Sequence, residues 1–270
     1  MSLRLDAAQG RVRTSPSAVA PAYAVVETAP RFAWFWPTVE QGRLTAFFQP
    51  VVCLKQNTTI GFEALARAHD GDCLRSGYEL TRAAAELGAS DWFDRACMQV
   101  ALHGAAAQFH AGELLFLNVN PMSVVRDLNA LADLATTVRH LGLPLDTVVI
   151  ELVETGDRPT LDQLGNLASA VREHGFRLAL DDFGTGAWSA EELAAIRPDI
   201  VKFDRDVATW SLDRVQPMVS EAQAAGCLTV LEGVEHEDHL TMARAAGFDM
   251  AQGYGIGRPE ANCLRNATLS

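Results

Sequence analysis

Nine polar residues set into otherwise apolar segments carry the chemical signal of this sequence. Glu63 lies in IGFEALA, Asn118 in LLFLNVN, Glu151 and Glu154 in TVVIELVE, and Asp181 and Asp182 in RLALDD. Lys202 lies in IVKFD, Glu232 in LTVLEGV and Gln252 in MAQGYGIG. Charges inside apolar strands are unfavourable unless they are paired or bind metal. Lys202 alone cannot neutralise six carboxylates, so the set calls for cations. Carboxylate and amide oxygens suit hard ones such as Mg²⁺, Mn²⁺ or Ca²⁺. Adjacent aspartates have a further use: one can bridge two cations while its neighbour binds the second, as in a two-metal site.

Each residue taken alone has a plainer explanation. A strand glutamate can make a rim ion pair, Asp181-Asp182 can cap a helix after the Phe183–Gly186 loop, and Lys202 can sit on an exposed edge. Gln252-Gly253 can be a turn. The plain explanations become independent coincidences once strand after strand presents such a group at the same end.

The elements that must position these groups are legible in the hydropathy pattern. Eight short apolar, β-branched runs are strand candidates: 44–54, 60–66, 114–120, 147–154, 177–182, 200–204, 228–234 and 250–257. The first two flank KQNTT and predict an antiparallel hairpin. Helical periodicity over 91–110, 124–142 and 161–175 fills the spaces between later strands, each of the last two ending at a glycine. Alternating strands and helices predict a parallel sheet covered by helices. Eight such strands fit an α/β fold of the (β/α)₈ TIM-like barrel type, whose chemistry gathers at the C-terminal mouth. A doubly wound open sheet is the alternative, but no GxGxxG opens a helix.

Composition narrows the classes. The chain has 270 residues, 49% hydrophobic and 21% charged, with a formal charge of −12. That excludes a mostly disordered chain and argues against a nucleic-acid polymer as partner. No apolar run is long enough for a membrane span. Five widely spaced cysteines without a CxxC predict reduced thiols in a cytoplasmic protein. Residues 1–33, rich in Ser, Pro, Ala and Arg, read as an N-terminal tail or linker with one ordered piece at 23–27, leaving 34–270 as the catalytic domain.

The motifs together resemble the EAL-domain family of cyclic di-GMP-specific phosphodiesterases. The name-giving triplet stands as Glu63-Ala64-Leu65, preceded by FFQPVV (47–52). The likeness continues in family order through FLNVNP (116–121), IELVE (150–154), DDFGTG (181–186), IVKFDRD (200–206), LEGVE (231–235) and AQGYGIGRP (251–259). It implies a barrel with an antiparallel first strand. It also implies metal-dependent hydrolysis of cyclic di-GMP to linear pGpG, with two Mg²⁺ or Mn²⁺ ions per active site and a homodimer. Glu63, Asn118, Glu151 and Asp181 resemble ligands of the first metal, and Asp181, Asp182 and Glu232 the shell of the second, Asp181 bridging. Lys202 resembles the cation that orients the attacking water, and Glu154 the glutamate that braces the DDFG loop. Arg67 resembles the arginine on a substrate phosphate, with Gln252 lining the site near it. Asp204 and Glu235 match the acidic positions of the KxD and EGVE motifs on the substrate side.

Three departures stand out: Ala66 for the usual leucine, Asn120 for a serine, and Ala187-Trp188-Ser189 for Tyr-Ser-Ser after DDFGTG. None removes a ligand. Family members often carry sensor or GGDEF domains, so residues 1–33 are the candidate regulatory segment here. Two other functions fit parts of the pattern. One is a catalytically silent cyclic di-GMP receptor, and the other is a Mg²⁺ barrel that abstracts a proton beside a carboxylate. The latter usually needs a second lysine or a histidine on a strand.

Overall fold

The computed structural model describes residues 3–6, 11–14, 30–153 and 158–263. Two short strands, β1 (Leu3–Asp6) and β2 (Arg11–Thr14), pair antiparallel inside the stretch read as a tail. The ordered piece expected at 23–27 lies outside the described residues. A short helix, α1 (Phe35–Glu40), precedes the barrel and buries Phe35.

The barrel strands are β3 (Leu44–Cys53), β4 (Thr58–Asp70), β6 (Leu114–Val119), β7 (Val148–Leu152), β8 (Arg177–Phe183), β9 (Ile200–Phe203), β10 (Leu228–Leu231) and β11 (Met250–Gln252). β3 pairs with both β4 and β11, which closes the sheet, and both pairings are antiparallel. Every other barrel pairing is parallel. A three-residue strand, β5 (Cys73–Arg75), hangs on the far end of β4. The expected (β/α)₈-type barrel with a reversed first strand is therefore present.

The helices follow the predicted order: α2 (Gly77–Glu86), α3 (Ser90–Ala106), α4 (Pro121–Arg126), α5 (Asn129–His140), α6 (Leu161–Glu173), α7 (Ala190–Ile196), α8 (Leu212–Ala224) and α9 (Glu237–Ala246). The helix expected over 124–142 is divided between α4 and α5. Asp127 leaves helical geometry (φ −148°, ψ 82°), and its carboxylate pairs with Arg95 on α3 at 3.1 Å.

Strand alternation sorts side chains into two compartments. Val51, Leu114, Phe116, Val149, Ala179, Ile200, Val230 and Met250 form a closed apolar plug inside the barrel, with Ile60 against it. Leu117, Ile150, Leu180, Val201, Leu231 and Ala251, one residue further along, pack outward under the helices. The next residue points inward again, above the plug. Those positions are Asn118, Glu151, Asp181, Lys202, Glu232 and Gln252. On reversed β3 the count runs backward from Val51 to Gln49. The plug thus forms the floor beneath the polar groups.

Phe116 is fully buried in that floor. Phe116→Ala is expected to reduce unfolding free energy by about 3–5 kcal/mol, the usual cost of deleting a buried ring. Urea unfolding checks this; a loss within measurement error would mean the plug collapses freely into the space.

Candidate metal centre

The ammonium of Lys202 is the geometric centre of the mouth. Its Nζ lies 2.5 Å from Glu151 Oε1, 2.7 Å from Glu232 Oε1, 3.4 Å from Glu63 Oε2 and 3.6 Å from Asp181 Oδ1. Lys202 is 1% exposed and Glu151 0%. Among the described residues no other ion pair reaches these four carboxylates, so one ammonium faces four acids. Burial, reinforced by the neighbouring carboxylates and opposed by Lys202, pushes Glu151 and Glu232 well above the usual carboxylate range. Burial acts to lower the Lys202 ammonium, but the four acids overcome it and hold it well above its ordinary value.

Neutral amides fill the rest of the shell. Asn118 Nδ2 donates to Glu63 Oε1 at 2.6 Å, and Gln252 Nε2 donates to Glu63 Oε2 at 2.7 Å. Gln252 Nε2 also lies 3.3 Å from Gln49 Oε1, whose own amide donates to the Gly257 carbonyl. The direct partner of Gln252 is Glu63, and Gln49, which the sequence reading did not single out, joins them. Gln49 was visible in the FFQP motif as a polar residue one alternation step from Val51.

A β-bulge sets the two aspartates. Leu180 pairs with Val201 and Phe183 with Phe203, so Asp181 and Asp182 together oppose Lys202. Asp182 takes a left-handed backbone (φ 53°), which turns its carboxylate to the same side as Asp181. Carboxylate oxygens of Glu63, Glu151 and Glu232 lie within 4.8 Å of one another, and so do those of Asp181, Asp182 and Glu232. The residue shared by the two groups is Glu232. The short contacts of Lys202 to both Glu151 and Glu232 draw those acids together.

The donor set fits hard cations. Buried Glu151 Oε2 has no hydrogen-bond partner, and Asp181 Oδ1 has only its 3.6 Å ion pair to Lys202. Buried carboxylate oxygens so thinly satisfied favour a positive partner.

Arg67 reaches the same space. It lines a cavity of about 650 Å³ with Glu63, Asn118, Asp181, Tyr78, Asp94 and Tyr254. Its guanidinium donates to the Ala66 carbonyl and lies 5.7 Å from the Phe47 ring. A smaller cavity of about 200 Å³ joins Gln49, Glu63, Glu232, Glu235, Gln252 and Arg205. Glu235 is exposed on its rim. Asp204 stands apart: its Oδ1 accepts from the Asp206 N–H and caps the turn 205–209. Glu154 lies outside the described residues. Asp94, Tyr254 and Arg205 escaped the sequence reading because no strand alternation marks a helix or loop residue that faces the cavity.

A family model described as EAL domain matches residues 35–259. The cyclic di-GMP phosphodiesterase RocR of Pseudomonas aeruginosa is 30% identical over 238 residues, covering 82% of this chain and 58% of that protein. The probable cyclic di-GMP phosphodiesterase PdeA of Escherichia coli is 25% identical over 231 residues, covering 82% and 31%. The Klebsiella pneumoniae BlrP1 structure, a calcium and cyclic di-GMP complex, matches with TM-score 0.73 at 27% identity, covering 81% of this chain and 56% of that one. The chain spans less than two thirds of the length of each of these proteins.

Two outcomes follow from the charges. Lys202→Met leaves the buried acids without their ammonium and is expected to lower stability in chelator by about 3–5 kcal/mol, with partial recovery in Mn²⁺. Urea unfolding with EDTA and with Mn²⁺ measures both; an unchanged midpoint in EDTA would contradict the compensating role of Lys202. Burial, with a smaller push from Asp91, raises Asp94 from 3.8 to about 6 against its bonds to Ser123 and Asn120. The folded state then holds a proton that the unfolded state releases, so Asp94 makes stability fall as pH rises from 3.8 to about 6. Asp94→Asn should flatten that slope; the same slope in both proteins would rule the assignment out.

Proposed function

This chain belongs to the EAL domain family, and from that membership we propose that it is a metal-dependent phosphodiesterase that hydrolyses cyclic di-GMP to linear pGpG. The observation that carries the reading is the pair of carboxylate groups meeting at Glu232, with an orphaned oxygen on Glu151, beside the cavity that Glu63, Asp181 and Arg67 line. The name of the Pseudomonas relative and the ligands of the Klebsiella complex support the substrate and the need for divalent ions.

The proposed site would hold two Mg²⁺ or Mn²⁺ ions. Glu63, Asn118, Glu151 and Asp181 would hold one, and Asp181, Asp182 and Glu232 the other. When bound, such cations polarise a phosphoryl oxygen and acidify water. The protein's residues supply the remainder. Arg67 pairs with a phosphate oxygen through its planar fork. Lys202 orients the attacking water and Glu232 takes up its proton. The water oxygen bonds to one phosphorus, one P–O ester bond of the ring breaks, and the released oxygen takes a proton from solvent water and leaves as a sugar hydroxyl. Gln252 and Asn118 fix both oxygens of Glu63, which keeps that carboxylate aimed at the centre. Glu235, exposed on the rim of the smaller cavity, stands on the substrate side. The reading extends to a cytoplasmic compartment and to a homodimer. Five free cysteines accord with a reducing compartment, and no helix among the described residues is long and apolar enough to cross a membrane.

Cyclic di-GMP binding and hydrolysis, measured side by side with Mg²⁺ or Mn²⁺, test the proposal. Wild type is expected to release pGpG. Glu63→Ala removes a ligand and should abolish turnover. Arg67→Ala should raise KM about tenfold to a hundredfold, the loss of one charge-assisted contact, with metal still bound. Wild type that binds the dinucleotide but never opens it would replace the enzyme with a receptor.

A further inference from the structure

The loop that follows Asp181 is tied back on itself by a residue that departs from the usual motif. Trp188 stands where the motif usually carries a serine, and it is 8% exposed. Its indole Nε1–H donates to the backbone carbonyl of Asp181 at 2.7 Å, across seven residues of chain. Arg158, ahead of α6, lies 5.2 Å from the Trp188 ring centroid. The same guanidinium donates to the carbonyl of Ala187 and pairs with Glu192 at 3.1 Å. Glu192 is already fixed, because its other oxygen accepts the Ser189 N–H in the capping box that starts α7. An indole, a cation and a capped helix therefore close the loop 182–188 into a ring.

The ring encloses backbone that needs holding. Asp182 (φ 53°), Gly184 (φ 96°) and Gly186 (φ 96°) all occupy the left-handed half of the map. Such a conformation in a residue with a side chain persists only where surrounding contacts impose it. A Cβ on Gly184 would also come within 3.1 Å of Met218 and 3.3 Å of Phe203, so the loop lies tightly on the barrel. Asp181 and Asp182 face the same point only while the bulge keeps this shape.

We propose that Trp188, clamped by Arg158, is a positioning residue that holds the Asp181–Asp182 bulge in its binding shape and so sets the site's affinity for divalent cation. The inference rests on the metal-dependent reading above, and it concerns neither catalysis by Trp188 nor contact with substrate. Trp188→Phe keeps an aromatic ring in the pocket but deletes the N–H donor together with the second ring of the indole. Arg158→Met keeps the apolar stem and deletes the cation.

Mn²⁺ affinity is measured by calorimetry without substrate, and unfolding midpoints are recorded in EDTA to show that each variant is folded. Trp188→Phe is expected to bind Mn²⁺ about tenfold more weakly, the size of one lost hydrogen bond. Arg158→Met should shift affinity in the same direction, and kcat of both should return to the wild-type value at saturating Mn²⁺. A purely structural tryptophan would lower the EDTA midpoint and leave Mn²⁺ affinity alone, so unchanged affinity in folded Trp188→Phe overturns the proposal. Should Trp188→Phe fail to fold, Arg158→Met decides by the same measurement. Wild type that binds no Mn²⁺ overturns the metal reading itself, a failure visible before any variant is compared.

Discussion

The mouth of the barrel is organised by one ammonium that four carboxylates approach within 3.6 Å. Each of those acids comes from a different segment, so the attraction draws β4, β7, β8 and the residue after β10 toward a point on β9. The attraction is also incomplete. Like charges at this separation repel strongly in a medium poorer than water at screening, and a buried acid left unpaired is a strong destabilising element. A protein that only had to fold would place leucines here. The charge imbalance is therefore a functional commitment, and the amides of Asn118, Gln252 and Gln49 maintain it by fixing Glu63.

Most of this arrangement was legible because strands obey a period of two. In β6, β7, β8, β9 and β11, and just past the end of β10, the polar residue stands two places after an apolar plug residue: Phe116 and Asn118, Val149 and Glu151, Ala179 and Asp181, Ile200 and Lys202, Val230 and Glu232, Met250 and Gln252. Repetition of that step made one end of one barrel the economical reading. The reversed first strand was legible from its short connection to the next. Residue roles beyond placement came from resemblance to a family.

What escaped the sequence depends on departures from regular repeats. Asp181-Asp182 reads as two consecutive strand residues, which would face opposite sides; a bulge and a left-handed Asp182 bring them together. The break between α4 and α5 depends on an ion pair from Asp127 to Arg95, which sequence periodicity cannot register. Asp94 faces the cavity from a helix whose buried face is otherwise apolar, and its raised pKa follows from that burial. Trp188 was noted as a change in the loop, but its partner on the far side of α6 is a contact between segments thirty residues apart.

The closing of the sheet between β11 and β3 joins residues about two hundred positions apart, with Met250 opposite Cys53 and Gln252 opposite Val51. During synthesis on the ribosome, every strand through β10 can emerge and still leave two raw margins, one on β3 and one on β10. Such margins are templates for pairing with another chain. The amide that steadies Glu63 also arrives with that final strand. Closure and completion of the charged centre are thus the same late event, so a nascent chain halted before Gln252 is at once adhesive and inert.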